Sequence, residues 1–253
     1  MFLRKKKITF QCHPDLLDVK EIEPKLSSHC LPDWYKKIKV LHHSKGRSIK
    51  SCMPFMDSMT AGYILPLPQD FYIEYNIFNE KLKKKDSGFR FSLDGQIDDN
   101  KLGDYNLNSS DLQIHSTDQL GGDNSYISKK NGSQAFLKIL NPWKIITPPG
   151  YSCLFTSPHY NENDYWNILT AIVDTDTFEG MVNFPILINH DKYPEFKKEF
   201  KQGMPYVQVI PFKRDSWYFK KESVELNSSK IFSYFSKFQD RYKRHNWIRK
   251  IWK

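Results

Sequence analysis

The sequence predicts a mainly β fold, an antiparallel barrel or sandwich, with a few short helices and a C-terminal helix. Three observations carry this. Short runs rich in β-branched and aromatic residues recur from Tyr63 to Lys213. Turn residues separate them, as in "NPW", "TPPG" and "TDTFEG". No long amphipathic stripe appears before residue 228, which argues against helix-on-sheet architectures.

Taken in order, Ile8 to Cys12 alternates as a first strand. Residues 32–41 open on a Pro-Asp pair and read as a short helix with Trp34, Ile38 and Leu41 on one side. Residues 50–61 are Met-rich, with Pro54 near the start, and predict a second short helix ending at Gly62. Tyr63–Leu67 and Phe71–Phe78 are strand-like. Pro66 and Pro68 confine them to an edge or to a break between two strands. The polar stretch that follows reads as an exposed hairpin and loop around a strand at Phe89–Leu93, with Lys81, Lys83, Lys84 and Lys85 in a solvated turn. From Ala135 the β signal strengthens, and "AIVDTDTFEGMVNFPILIN" (171–189) reads as a β-hairpin.

These elements form one domain over roughly residues 1–215, followed by a basic segment, 216–253. The chain of 253 residues is 39% hydrophobic and 15% aromatic, which supports a substantial core and argues against global disorder. It has no apolar run long enough to span a membrane and no secretory leader at "MFLRKKKITF", so a cytoplasmic location is expected. The 4 cysteines, Cys12, Cys30, Cys52 and Cys153, lack a C-x-x-C pair and read as reduced, buried or half-buried thiols. The adjacent pairs Cys12–His13 and His29–Cys30 are poor zinc donors, because neighbouring side chains on a strand diverge.

The charge is uneven. Residues 213–253 carry 12 Lys and Arg against 4 Asp and Glu, while the rest of the chain carries 26 against 25. In the basic segment Ile231, Phe235, Phe238 and Tyr242 fall on one helical face. Arg241, Lys243, Arg244, Trp247, Arg249 and Lys250, with Trp252 near the end, can rest in solvent or meet an anionic partner, nucleic acid or a membrane surface. Trp and Arg also suit a protein interface.

Two sets of residues bear on chemistry. Asp174 and Asp176 follow a β-type run, and either present a carboxylate to a ligand or cap a turn through Asx-type hydrogen bonds. His115, His159, His190 and Asp191 raise an iron centre of the two-His-one-carboxylate type, but the "HD" at 190–191 lacks the intervening residue. Cys153 in "SCLF" has no visible activating group and reads as core.

The segments Pro149–Gly150, Asp174, Asp176, Phe178, Gly180, Asn189, Gly203 and Gln208 resemble the core of the dUTPase and dCTP-deaminase superfamily over about 70 residues (145–213). That resemblance implies a β-clip scaffold and Mg2+-dependent attack of water on a nucleotide phosphate. Asp174 would hold the water, Asp176 would contact the ligand, Phe178 would pack on the nucleoside, and Gln208 and Ser157 would meet phosphate. A homo-oligomer, a trimer, would follow. Where that family carries Arg-Ser-Gly this chain has "FTSPHYN", and Thr177 is an extra residue before the aromatic.

Over most of its length the chain is similar to an uncharacterised family encoded by marine cyanophages and related bacteria, through "PDWYKKI", "SCMPFMDSMTAGYILPLPQDF", "HSTDQL", "NPWKIITPPGYSCLFTSP" and "GMPYVQVIPFKRDSW". This implies a phage-encoded accessory protein, in the infected host cell or the virion, with a β core that binds a ligand or partner. The alternatives are a nucleotide-binding or nucleotide-hydrolysing protein and a virion or nucleic-acid-associated structural protein.

Overall fold

The computed structural model describes residues 6–42, 46–76, 89–92, 112–115, 117–122, 125–130, 136–223 and 242–253. Its strands are, in the first part of the chain, β1 (Thr9–Gln11), β2 (Lys25–Leu26), β3 (Leu41–His42), β4 (Gly46–Arg47) and β5 (Tyr63–Pro66). The middle contributes β6 (Phe71–Asn76), β7 (Phe89–Ser92), β8 (Leu112–His115), β9 (Phe136–Ile139) and β10 (Lys144–Ile146). Then follow β11 (Tyr151–Thr156), β12 (Trp166–Ile168), β13 (Ala171–Val173), β14 (Phe184–Ile188), β15 (Glu195–Phe200) and β16 (Pro205–Lys213). The α-helices are short: α1 (Asp33–Lys37), α2 (Met53–Thr60) and α3 (Tyr126–Lys130).

Every strand pair is antiparallel. Five strands form the sheet that positions the candidate site, in the order β13-β11-β16-β5-β2. A second sheet runs β12-β14-β9-β8, a third β15-β6-β7, and two small ladders join β1 to β10 and β3 to β4. The local reason is period-two patterning. In β14 Phe184, Ile186 and Ile188 are buried and alternate with half-buried Pro185 and Leu187. β16 is covered on both faces over Tyr206–Gln208 and Val209, as an interior strand should be. Where β15 meets β6, Lys197 lies opposite Glu74 and pairs with it at 2.7 Å, a cross-strand contact that helps fix register.

One apolar core joins the three larger sheets, running from Leu65, Ile73 and Tyr75 through Phe155 and Phe184 to Val207 and Val209. Trp166, Phe71 and Phe200 pack ring against ring within it. The Trp143 indole N–H donates to the Ile22 carbonyl at 3.0 Å and ties the N-terminal region to this core.

Mainly antiparallel β architecture, the first strand, the helix ending at Gly62 and the paired strands after it all follow the sequence reading. Four expectations do not. No sheet closes into a barrel among the described residues, each order having two ends. The segment 171–189 is not a hairpin: β13 pairs with β11, while β14 pairs with β12 and β9, so residues 174–183 cross between two sheets. Helix α1 stops at Lys37, and it buries Tyr35 while Leu41 is 63% exposed, because the chain turns extended at Ile38. Cys52 is exposed, unlike the other three free thiols. Of the expected C-terminal helix only residues 242–253 are described; Tyr242–Asn246 form a single π turn, and Ile231, Phe235 and Phe238 lie outside the described residues. No helix among the described residues is long and apolar enough to cross a membrane.

Gly62 shows why the α2 to β5 junction needs glycine: φ is +69°, and an added Cβ would sit 1.9 Å from the Val209 carbonyl oxygen. Gly62→Ala is expected to cost at least about 3 kcal/mol and lower the thermal midpoint by about 6–12 °C. Gly122→Ala, with φ +73° but nothing within 4 Å, should cost only about 1 kcal/mol. Scanning calorimetry on both variants checks the contrast.

Candidate functional site

The crossover after β13 begins Asp174-Thr175-Asp176, and each of the three side chains has structural partners. The Ser152 hydroxyl donates to Asp174 at 2.6 Å, and the Arg214 guanidinium lies 3.1 Å from the same oxygen. Thr175, buried, shares a 2.7 Å hydrogen bond with the Thr147 hydroxyl and donates to the Cys153 sulfur. Asp176 accepts the Gly150 N–H at 2.8 Å and takes both guanidinium nitrogens of Arg214. The Arg214 N–H in turn donates to the Gly150 carbonyl at 2.8 Å. Gly150 sits at φ +83°, and both its backbone polar groups are held by this clasp. Pro148, Pro149 and Gly150 therefore form a turn fixed from outside.

The pair is fork-to-fork, and Asp176 is only 4% exposed while Asp174 is 61% exposed. The Arg214 hydrogen bonds hold the Asp176 carboxyl down at about 2, the Gly150 N–H adding to the effect. At neutral pH Asp176 is a fixed anion and a weak base. A magnesium ion would need carboxylate oxygens facing it. Here Arg214 already occupies the space between the two carboxylates, and among the described residues no three His, Cys, Asp or Glu side chains converge. The aspartates do not fit a Mg2+ ion in this arrangement.

The other residues expected at this site are not brought to it. Gln208 lies opposite Thr156, at the far end of β11 from Ser152, about 13 Å along the strand. It is buried, accepts the His159 N–H at 3.2 Å, and donates to the Ser58 and Ala61 carbonyls at 2.9 and 2.8 Å. The Ser157 hydroxyl accepts the Ile168 N–H at 2.9 Å and holds β12. Phe178 is 44% exposed and folds over Gly180, where an added Cβ would meet its ring at 2.9 Å. The histidines do not assemble: His190 contacts the Lys130 carbonyl and Asp191, His159 sits beside Gln208, and the His115 side chain lies outside the described residues. Cys153 is buried and its thiol is pushed up to about 11 by burial, so it is not a nucleophile.

A different site lies on the other side of the same turn. Thr147, Pro148 and Tyr151 line a cavity of about 560 Å3, closed by Lys6, Lys7, Ile8, Tyr63, Pro211 and Arg249–Lys253. The two ends of the described chain meet there. Asp57 anchors the C-terminal segment, accepting the Trp247 indole N–H at 2.9 Å and the Lys250 ammonium at 2.6 Å. The Tyr63 hydroxyl donates to the Lys253 carbonyl at 3.0 Å, and its ring meets Trp252 edge-on at 6.4 Å. Burial raises the Tyr63 phenol, which keeps that donor protonated. Lys6 lies over the Tyr151 ring at 5.8 Å. Five lining residues are cationic and none is acidic. Lys6, Lys7, Arg249 and Lys253 have no acidic partner among the described residues.

Of the residues expected to face a partner, Trp247 and Lys250 therefore bind the body of the protein and Arg249 lines the cavity. Lys243 and Arg244 are exposed in the π turn, and Arg241 lies outside the described residues. Arg214, Ser152, Lys6, Tyr63 and Tyr151 escaped sequence reasoning. The "RKKK" at the N-terminus and the tryptophans near the end were the available signals, but nothing in the sequence joined them.

Two consequences are measurable. Asp176 is charged in the folded chain at pH values where the unfolded chain takes up a proton, so its contribution is complete above about pH 4 and disappears as pH falls toward about 2. Arg214→Gln should release that carboxyl toward its ordinary range and move the acid-unfolding midpoint up by about one pH unit, read by near-UV circular dichroism. Gln208→Leu strands three backbone groups and should cost about 3–5 kcal/mol in denaturant unfolding. Searches for related proteins found no matching family model, no matching curated protein and no matching solved structure.

Proposed function

We propose that this chain is a non-catalytic binding protein whose ligand is an anion seated in the cavity between residues 6–8 and 249–253. The observation that carries the reading is the cavity itself: Lys6, Lys7, Arg249 and Lys253 converge on it without acidic partners among the described residues. Concave sites of about 300–1,000 Å3 with a few convergent polar groups are where proteins hold small ligands. Unneutralised cations around one such site attract an anion and lose that attraction as salt rises.

A phage-encoded accessory role, in the infected cell or the virion, fits a protein that binds without turnover. The similarity of its motifs to the cyanophage family supports that role. A β-clip-like arrangement of residues 145–213 is supported by the meeting of the Pro148–Tyr151 turn, the Asp174–Asp176 segment and the end of β16 at Arg214. Nucleotide hydrolysis is the second reading. It is favoured by one observation, that the aspartate clasp and the cavity share the Thr147–Tyr151 wall.

Titration of the full chain with inorganic pyrophosphate, followed by calorimetry at low salt, tests the first reading. Binding is expected, weakening steeply with added salt and falling at least about tenfold in a Lys6→Ala/Lys7→Ala variant. Equal binding by wild type and variant, or none by either, would overturn it. With Mg2+ and a nucleoside triphosphate panel no turnover is expected; turnover abolished by Asp174→Asn would establish the second reading instead.

A further inference from the structure

We infer that the ligand of this cavity is a flat aromatic ring carrying a phosphate group, the chemistry of a mononucleotide. The inference rests on the anion-binding reading above and goes beyond it. The cavity is graded. Its cations, Lys6, Lys7, Arg249 and Lys253, are exposed, while Tyr63, Tyr151 and Trp252 are half-buried behind them. Ile8, Pro148 and Pro211, also half-buried, complete an apolar interior.

A site for an inorganic anion needs the cations and has no use for three aromatic walls. A site for an uncharged apolar molecule needs the walls and gains nothing from four cations that have no acidic partner among the described residues. The two together match a molecule with a ring at one end and a strong anion at the other. Tyr63 and Trp252 meet at 78°, which makes a corner, and a ring entering it meets one face and one edge. Lys6, stacked on Tyr151, brings a cation to the rim of the same wall. The ring then lies inside and the phosphate stays at the wet mouth, where its partial hydration is retained and lysine and arginine donate to it.

The docked 247–253 segment adds a second element. Trp252 belongs to a segment held by Asp57 and Tyr63, so the aromatic wall exists only while that segment is docked. Ring stacking on Trp252 and docking of the segment therefore favour each other.

The test is competition calorimetry on the full chain with four probes: inorganic pyrophosphate, adenosine, adenosine monophosphate and flavin mononucleotide. An aromatic phosphate is expected to bind at least about tenfold tighter than pyrophosphate, the worth of one stacked base, with adenosine weak. The two aromatic phosphates distinguish a nucleotide-sized ring from a larger one. Trp252→Ala should erase the advantage over pyrophosphate, lowering affinity for the aromatic phosphates at least about tenfold more than for pyrophosphate, and Trp252→Phe should retain most of it. Pyrophosphate binding as tightly as the aromatic phosphates would overturn the aromatic assignment and leave anion binding standing. Failure of every probe would remove both. A thymidine oligonucleotide binding at least tenfold tighter per strand than the monophosphate would overturn the small-molecule reading in favour of single-stranded nucleic acid.

Discussion

Arg214 gripping Asp176 is the constraint on which the site region depends. The arginine stands one residue past the end of β16, and the aspartate lies in the crossover that leaves β13. Between them sits Gly150, with its N–H on Asp176 and its carbonyl on the Arg214 N–H. Three stretches distant in sequence are thereby fixed to one turn. A largely buried carboxylate would be costly by itself, and the bidentate partner is what makes it tolerable. The same pairing withdraws Asp176 from acid–base work. The wall of the cavity, Thr147 to Tyr151, is the other face of this clasp.

The ladder between β11 and β16 is pinned at both ends by different chemistry. At one end the pin is ionic and semi-exposed. At the other it is Gln208, a neutral side chain that uses its carbonyl and amide on three backbone groups. A glutamine there joins α2 and the loop after β11 to the sheet without burying a charge. This explains why a polar residue sits within the buried Tyr206–Val209 stretch of a mainly apolar strand. It also explains why Gln208 has no donor left for a phosphate.

Strands were legible because alternation and turn chemistry are local, and Phe184-Pro185-Ile186-Leu187-Ile188 announces its inward face in five letters. Partners were not legible. Ala171–Val173 and Phe184–Ile188 look like two arms of a hairpin, yet nothing in either run says which sheet it joins. What diverts the chain is Thr175 bonding to Thr147 and Cys153, and Asp176 bonding to Gly150; both contacts span more than 20 residues. Arg214 was hidden for the same reason, since the cation that answers Asp176 lies 38 residues away. The cavity was the least legible feature, because residues 6–8 and 249–253 make it together. Composition marked the C-terminal segment as basic, but not that Asp57 draws it back onto the body.

That basic excess acquires a specific physical meaning from the geometry. Cations gathered within about one Debye length of each other repel, and in a concave, partly apolar site the repulsion is screened less than on open surface. Asp57 offsets one of the five, through Lys250, and the other four have no acidic partner among the described residues. The docked segment is therefore held by the Lys250–Asp57 ion pair, hydrogen bonds and ring contacts, against the mutual repulsion of the other cations. An anion in the cavity reverses the sign of that last contribution. An anion that neutralised the mouth would also tighten the wall that Trp252 provides, so its affinity and docking of the 247–253 segment would be two readings of one equilibrium.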